Sequence, residues 1–471
     1  MSGDQIGEPT KSRRRIIFCR KRIRARDVPA KIAEGVPSVI LGVLLNALDA
    51  ASTGLLVFPS AQEGPAFANL QVEAMSLYIM STITSQLAMT LGGSLFPGAL
   101  GSMLIEILPF LRGIASDIQG VLGEESPKLL PTVLAAYSLT SILVGVCFLG
   151  LGLFRLGWLV GYLPHTVLTG VIGAIGISLF ELSLQLTLPP TASEMISKEH
   201  MPLLIASVLP AAFLVISLRL KSLAKLTGGF TEHAMYVPAF VFTVAGIFWV
   251  VVAAQGKANA EGMEDLASQG WLFSLTASSS PATGSASWNY WRLFDFSMVQ
   301  WSALNAATQN IVLLVVIGVV NLPVFIPAMA MMLDEPQYSM NWELIGHGIS
   351  NLLAGATGSL PNLVVLANSR LFTFAGGGRP EALAVTGFTC VLFFTSKHLL
   401  PYVPTILASI LVLFLGLDLI TEALWTSAHE LLWSEWAIVL GTVLACTFIG
   451  FLPGFAMGLV IALALMIKML S

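Results

Sequence analysis

Gly355-Ala-Thr-Gly-Ser-Leu-Pro-Asn362, running on into the apolar stretch Leu363–Phe374, decides how this chain folds. Small residues let the backbone leave helix, and Pro361 suits the first turn of a new one. The surrounding sequence is hydrophobic almost throughout, so the break falls at membrane depth. Irregular backbone is tolerated there only if it is buried in protein or lines a cavity. A second copy, Gly92-Gly-Ser-Leu-Phe-Pro-Gly98, repeats the Gly-Ser-Leu-Pro pattern with one residue inserted and also opens an apolar segment. Either stretch alone could be a loop between two ordinary spans. Two Gly/Pro-interrupted segments at corresponding positions of two halves instead point to a binding site between inverted repeats.

Of the 471 residues, 55% are hydrophobic and 11% charged, with a mean hydropathy of +0.82. A soluble domain carries about 25% charged residues, so this is an all-α polytopic membrane protein. The basic residues are unevenly placed. Lys11-Ser-Arg-Arg-Arg15, Arg20-Lys-Arg22, Arg24, Arg26 and Lys31 crowd the arm 1–34. Such a run could bind nucleic acid, target the chain, or anchor its N-terminus at the cytosolic membrane surface. A hydrophobic span follows at once, which favours the anchor, with contact to anionic lipid and no nucleic-acid partner. A cleavable secretory signal is excluded, because no short apolar core ends in an Ala-x-Ala site. Cys19 lies in the arm, and Cys147, Cys390 and Cys446 lie in apolar runs, a spacing that makes no disulfide framework.

Spans of about 20 apolar residues are needed to cross a bilayer. The first seven fall at 36–59, 71–92, a broken 97–111, 131–153, 164–187, 201–218 and 234–254. The second seven fall at 307–331, 342–357, a broken 361–376, 382–397, 402–420, 434–449 and 451–470. Between them, 255–305 is rich in Ser, Ala and Gly and carries Trp271, Trp288, Trp291 and Trp301, as expected of an extramembrane loop with interfacial aromatics. Seven plus seven, an odd number per half, makes the halves an inverted repeat of 14 transmembrane segments, with segments 3 and 10 as half-helices. With both termini cytosolic, Arg155, Arg219, Lys221, Lys225, Arg379 and Lys468 fall inside. The loop around Arg112 and Lys128 departs from that rule, offset by Asp117, Glu124 and Glu125. No soluble domain is expected after Ser471.

An ionisable group in mid-membrane is costly and marks function by default. Asp49 is such a group, and Asn46 and Thr53 share its helix face at i−3 and i+4. It could bind solute or accept structural hydrogen bonds from neighbouring helices. Glu106 could line the site or pair with Arg112. Glu181 reads as a helix-packing acid, Asp418 and Glu422 as interfacial, and His165 and His347 as capping or interface residues at segment starts. Arg370 lies nine residues into the tenth segment, about 13 Å along a helix, which takes it away from the half-helix mouth. Zinc spacing, Gly-x-Ser-x-Gly and a phosphate loop are all missing, so no catalytic residue, cofactor or metal is expected.

Met340-Asn-Trp-Glu-Leu344, Gly346, Asn351-Leu-Leu-Ala-Gly355, Pro361, Ala375-Gly376 and Arg379 resemble the signature region of the SulP sulfate-permease-like anion transporters. Phe154-Arg-Leu-Gly157, Leu163-Pro-His165 and Gly170 resemble the family's junction between its fourth and fifth spans, and the likeness runs over 35–471. Asn46-Ala-Leu-Asp49-Ala and Phe96-Pro-Gly-Ala-Leu-Gly-Ser-Met-Leu-Ile-Glu106 resemble the fungal and protist branch that includes a vacuolar basic-amino-acid transporter. The resemblance implies a uracil-permease-type fold, usually homodimeric. Its core domain comprises segments 1–4 and 8–11, and its gate domain segments 5–7 and 12–14. Solute would bind between the N-termini of segments 3 and 10, flanked by segments 1 and 8. The family's C-terminal STAS domain has no counterpart here.

The departures from the family pattern shape the expected chemistry. Asp49 stands where the anion carriers usually have Gln, Asn321 where many have Glu, and Asn368 where they often have a base, with Arg370 two places off. A site that gains an acid and loses a base suits a zwitterion with an extra cationic group: carboxylate at the half-helix N-termini, cation at Asp49. The expected contacts are Asn46, Asp49, Thr53, Ser94, Pro97, Gly98, Asn321, Ser359, Pro361 and Asn362, around a small polar cavity with Asp49 facing Pro97, Asn321 and Pro361. The first reading is a secondary transporter of a small charged solute such as a basic amino acid, proton-coupled through Asp49, in a vacuole-type or plasma membrane. The alternatives are a sulfate, inorganic-anion or carboxylate carrier using Arg370, and a channel or non-transporting scaffold.

Overall fold

The computed structural model describes residues 28–59, 67, 70–158, 164–185, 200–219, 236–273, 287–333, 338–399 and 402–470. The basic arm up to Asp27, Lys221, Lys225 and residues 274–286 of the long loop lie outside the described residues.

The first half runs α1 (Val28–Ser52), α2 (Gln71–Ala88), a two-residue strand β1 (Gly101–Ser102), α3 (Leu108–Leu122), α4 (Leu129–Leu153), α5 (His165–Gln185), α6 (Met201–Arg219) and α7 (Tyr236–Ala254). A short α8 (Ala260–Ser268) lies in the long loop. The second half runs α9 (Thr308–Met332), α10 (Met340–Ala356), β2 (Leu363–Val364), α11 (Leu366–Phe374), α12 (Arg379–Leu399), α13 (Thr405–Ile420), α14 (Trp433–Phe448) and α15 (Phe451–Leu470). α13 continues through a π-helical turn, Thr421–Thr426, to Glu430. Six helical stretches among the described residues are long and apolar enough to cross a membrane, from Gly35–Leu56 to Thr405–Glu430.

In lipid, helices gain little from burying apolar surface against each other, so they associate where small residues let their backbones close in. α4 and α10 meet in this way. A methyl group at Gly145 would lie 2.8 Å from the Leu352 amide nitrogen, and one at Gly348 2.8 Å from that of Leu149. α5 and α13 meet through Gly176 and Gly416, each of which would drive a methyl to about 3 Å from the other's carbonyl oxygen.

Neither interrupted segment starts its helix at the expected proline. Pro97 is exposed, and Gly98 beside it packs so tightly on Thr373 and Gly377, at the far end of α11, that any Cβ would collide with the Thr373 hydroxyl. From there the chain runs through β1, makes a 3-10 turn at Ile105–Ile107, and begins α3 at Leu108 with Pro109 in its first turn. In the second copy, Gly358 closes α10 in the left-handed conformation (φ +71°), and Ser359–Val365 run extended before α11 starts at Leu366. Proline's fixed φ suits extended chain as well as a helix start, and here the extended use wins at both prolines. Arg112, expected in a loop, is consequently buried within α3.

β1 and β2 pair antiparallel, Gly101 opposite Val364 and Ser102 opposite Leu363. The two interrupted segments thus run antiparallel where they meet, with all four paired residues buried. The long loop packs over the crossing's outer end. Tyr290 is fully buried, and its hydroxyl and the Trp291 indole both donate to the Thr357 carbonyl.

Candidate substrate-binding site

Extended backbone inside a membrane needs a partner for every N–H and C=O. Neighbouring helices supply them. The Ser141 hydroxyl on α4 donates to the Ser359 carbonyl at 2.7 Å, and Ser81 on α2 to the Leu360 carbonyl at 2.7 Å. Asn351 on α10 grips Asn362 twice, donating to its carbonyl (2.8 Å) and accepting its N–H (2.9 Å). Ser350 donates to the Asn362 side-chain oxygen, and His347 Nε2 accepts the Val364 N–H at 3.1 Å. His347, Ser350 and Asn351 fall at i, i+3 and i+4, one face of α10. On the other strand, the Leu100 N–H donates to Ser369 Oγ at 2.9 Å, and Tyr78 and Ser102 share a hydrogen bond of 3.0 Å.

Asp49 reaches this crossing from α1. Its carboxylate accepts a hydrogen bond of 2.7 Å from Asn368 Nδ2. Asn368 is the third residue of α11, so the acid sits beside the first turn of a half-helix, where the helix dipole is positive. Tyr78 lies within electrostatic reach of the same carboxylate.

The other expected residues divide. Asn46 is buried, exchanging hydrogen bonds with Gln86 (3.0 and 3.2 Å) and donating to Thr389 (2.8 Å). It ties α1 to α2 and α12. Thr53 is buried just beyond α1. Ser94 belongs to a clasp beside the Gly376–Arg379 turn. Its hydroxyl and the Leu95 N–H both donate to Glu343, and its carbonyl accepts from Arg379 at 2.8 Å. Pro97 and Gly98 flank that clasp. Ser359 donates to the Leu77 carbonyl and positions the second extended stretch.

Pro361 and Asn362 line a small cleft with Leu104, Val144, Leu314 and Gly318. Asn321 lines a different one, with apolar side chains of α5, α9 and α15. Both linings are mainly apolar, and Asn321 and Pro361 fall in separate ones.

Glu106 sits in the 3-10 turn that opens the third segment, and its Oε2 is buried with no hydrogen-bond partner among the described residues. Glu181, expected to pack between helices, is exposed on α5. Asp418 forms an ion pair with Arg219 at 2.9 Å, and Glu422 lies in the π-helical turn. His347, expected at a segment start, is the eighth residue of α10 and fully buried. Arg370 is exposed, its guanidinium 5.4 Å from the Phe374 ring. Asn368 entered the sequence reading as the position of a lost base, whereas Asn351, Ser81 and Ser141 escaped it as site residues. Their only signal is a small polar side chain within an apolar segment.

Two interrupted segments crossing at the centre of a helical bundle, with an acid beside one half-helix mouth, define a multi-pass membrane transporter. The chain belongs to the sulfate permease family, whose profile matches residues 32–442. It is 30% identical over 450 residues to the vacuolar basic amino acid transporter VSB1 of Saccharomyces cerevisiae. That match takes in 92% of this chain and 41% of the relative, so the chain spans about two-fifths of VSB1's length. Among solved structures it is similar to the transmembrane domain of the cyanobacterial bicarbonate transporter BicA (TM-score 0.58, 15% identity, 94% of this chain and 98% of that one). It is also similar to the murine anion transporter Slc26a9 in its inward-facing state (TM-score 0.61, 14% identity, 98% and 74%).

Proposed function

We propose that the chain is a secondary transporter of small cationic amino acids, coupled to protons through Asp49. The observation that carries this reading is the 2.7 Å hydrogen bond from Asn368 to Asp49 in the first turn of α11. In a site built only for anions, a half-helix N-terminus is left open for the solute's negative charge. Here the protein brings its own carboxylate to one of them. A cationic group can pair with that carboxylate, or a proton can neutralise it, and exchanging one for the other is the simplest coupling available. The solute's own carboxylate has the start of the third segment's helix. The likeness to a vacuolar basic amino acid transporter supports the same substrate class.

The architecture we infer has 14 segments in two inverted sets of seven, related through the antiparallel β1–β2 crossing. α1–α4 with α9–α12 form the core, and α5–α7 with α13–α15 form the gate, in a homodimer. Both termini face the cytosol, in a vacuole-type or plasma membrane. Alternating access then moves the crossing past α5 and α13.

Reconstituted protein should take up radiolabelled arginine or lysine in response to a pH gradient, and should not take up sulfate. Uptake of sulfate and none of arginine would overturn the reading. Conductance without concentrative uptake of either solute would make the protein a channel.

A further inference from the structure

We infer that His347 is a positioning residue that sets the affinity of the site by fixing strand β2. This rests on the reading above only in taking the crossing as the place where solute binds. His347 is fully buried in α10, and both ring nitrogens are engaged. Nδ1 lies 2.8 Å from the Glu343 carbonyl oxygen, and Nε2 lies 3.1 Å from the Val364 amide nitrogen. A carbonyl can only accept and a backbone N–H can only donate. The ring is therefore the neutral tautomer with its proton on Nδ1, and Nε2 is the acceptor. Phe148 of α4 packs edge-on against the imidazole, with centroids 6.1 Å apart, and holds its plane.

The Val364 N–H is the point at which α10 holds β2, and Val364 is the residue opposite Gly101 in the crossing. Two residues further on, α11 begins with the turn that presents Asn368 to Asp49. His347 thus acts on the site through the strand and touches no solute. Losing the acceptor leaves the Val364 N–H buried and unpaired. The strand then shifts or exchanges partners, and the first turn of α11 moves with it.

Three variants test this in full-length protein reconstituted into liposomes. His347→Gln keeps an acceptor at the Nε2 position. His347→Asn keeps only a group at the Nδ1 position, and His347→Leu keeps neither. The Asn and Leu variants should raise the apparent KM about tenfold at unchanged maximal rate, the pattern expected when binding alone is weakened. The Gln variant should stay within about threefold of wild type. Hydrogen exchange of the peptide holding Val364 should quicken in the Asn and Leu variants and not in Gln. Equal behaviour of Gln and Asn, or unaltered exchange in both, overturns the inference, and the Gln–Asn pair serves even if the Leu variant does not fold. Arginine and bicarbonate are both assayed. Wild-type uptake of bicarbonate alone would sink the cationic-substrate reading while leaving the His347 contrast measurable on bicarbonate.

Discussion

Asn368 on the half-helix α11 donates to the carboxylate of Asp49 on α1 at 2.7 Å, joining residues 319 positions apart. The contact sets an acid of α1 against the first turn of α11. It makes the charge at this point a property of two segments together.

Asp49→Asn keeps the shape and a hydrogen-bonding amide but removes the charge and the exchangeable proton. A charge-assisted hydrogen bond contributes about 1.5–3 kcal/mol, so pH-driven arginine uptake should fall by at least about tenfold. Yield and thermal midpoint in detergent should be unchanged. Asp49→Glu should be partly active. Full pH-driven uptake by Asp49→Asn would make this acid purely structural.

Asn368→Arg places a fixed cation within reach of Asp49. The ion pair satisfies the acid permanently and restores a base where the anion carriers of the family often have one. Arginine uptake should be lost, and sulfate or bicarbonate uptake tested in the same liposomes should appear or rise. Unimpaired arginine transport would show that the Asn368–Asp49 contact does not gate the site.

Gly346→Ala tests the clasp between the two repeats. A methyl group there collides with the backbone carbonyl of Gly93, which cannot swing aside as a side chain could. Overpacking of this kind costs about 1–3 kcal/mol. The expected result is a lower yield of monodisperse protein and a thermal midpoint several degrees down. Gly120→Ala, with open space around it, should have neither effect.

Asn351→Leu removes both hydrogen bonds that hold the Asn362 backbone and leaves two buried polar groups unpaired. Each costs about 1–3 kcal/mol, so this variant should be destabilised more than Gly346→Ala. The comparison is made by thermal unfolding followed through intrinsic tryptophan fluorescence. A stability equal to wild type would mean that the extended stretch finds other partners.

The sequence alone established the membrane class, the approximate limits of most spans, the two interrupted segments and the family likeness. These rest on local properties: the length of an apolar run, a Gly/Pro break, an acid where none should be. It also singled out Asp49, because a carboxylate in a 22-residue apolar helix is anomalous without any knowledge of its neighbours. Only the tertiary structure decided where the half-helices begin. Proline at 97 and 361 fits a helix start and extended chain equally, and the choice falls to the antiparallel partner that each interrupted segment finds in the other. The same holds for Asn46, Ser94 and His347. Each can hydrogen-bond in any direction, and their partners at Thr389, Glu343 and Val364 are fixed by helix packing rather than by neighbouring residues. Apolar pattern tells which residues enter the membrane. Which polar groups meet there is set by the crossing of two segments more than 250 residues apart.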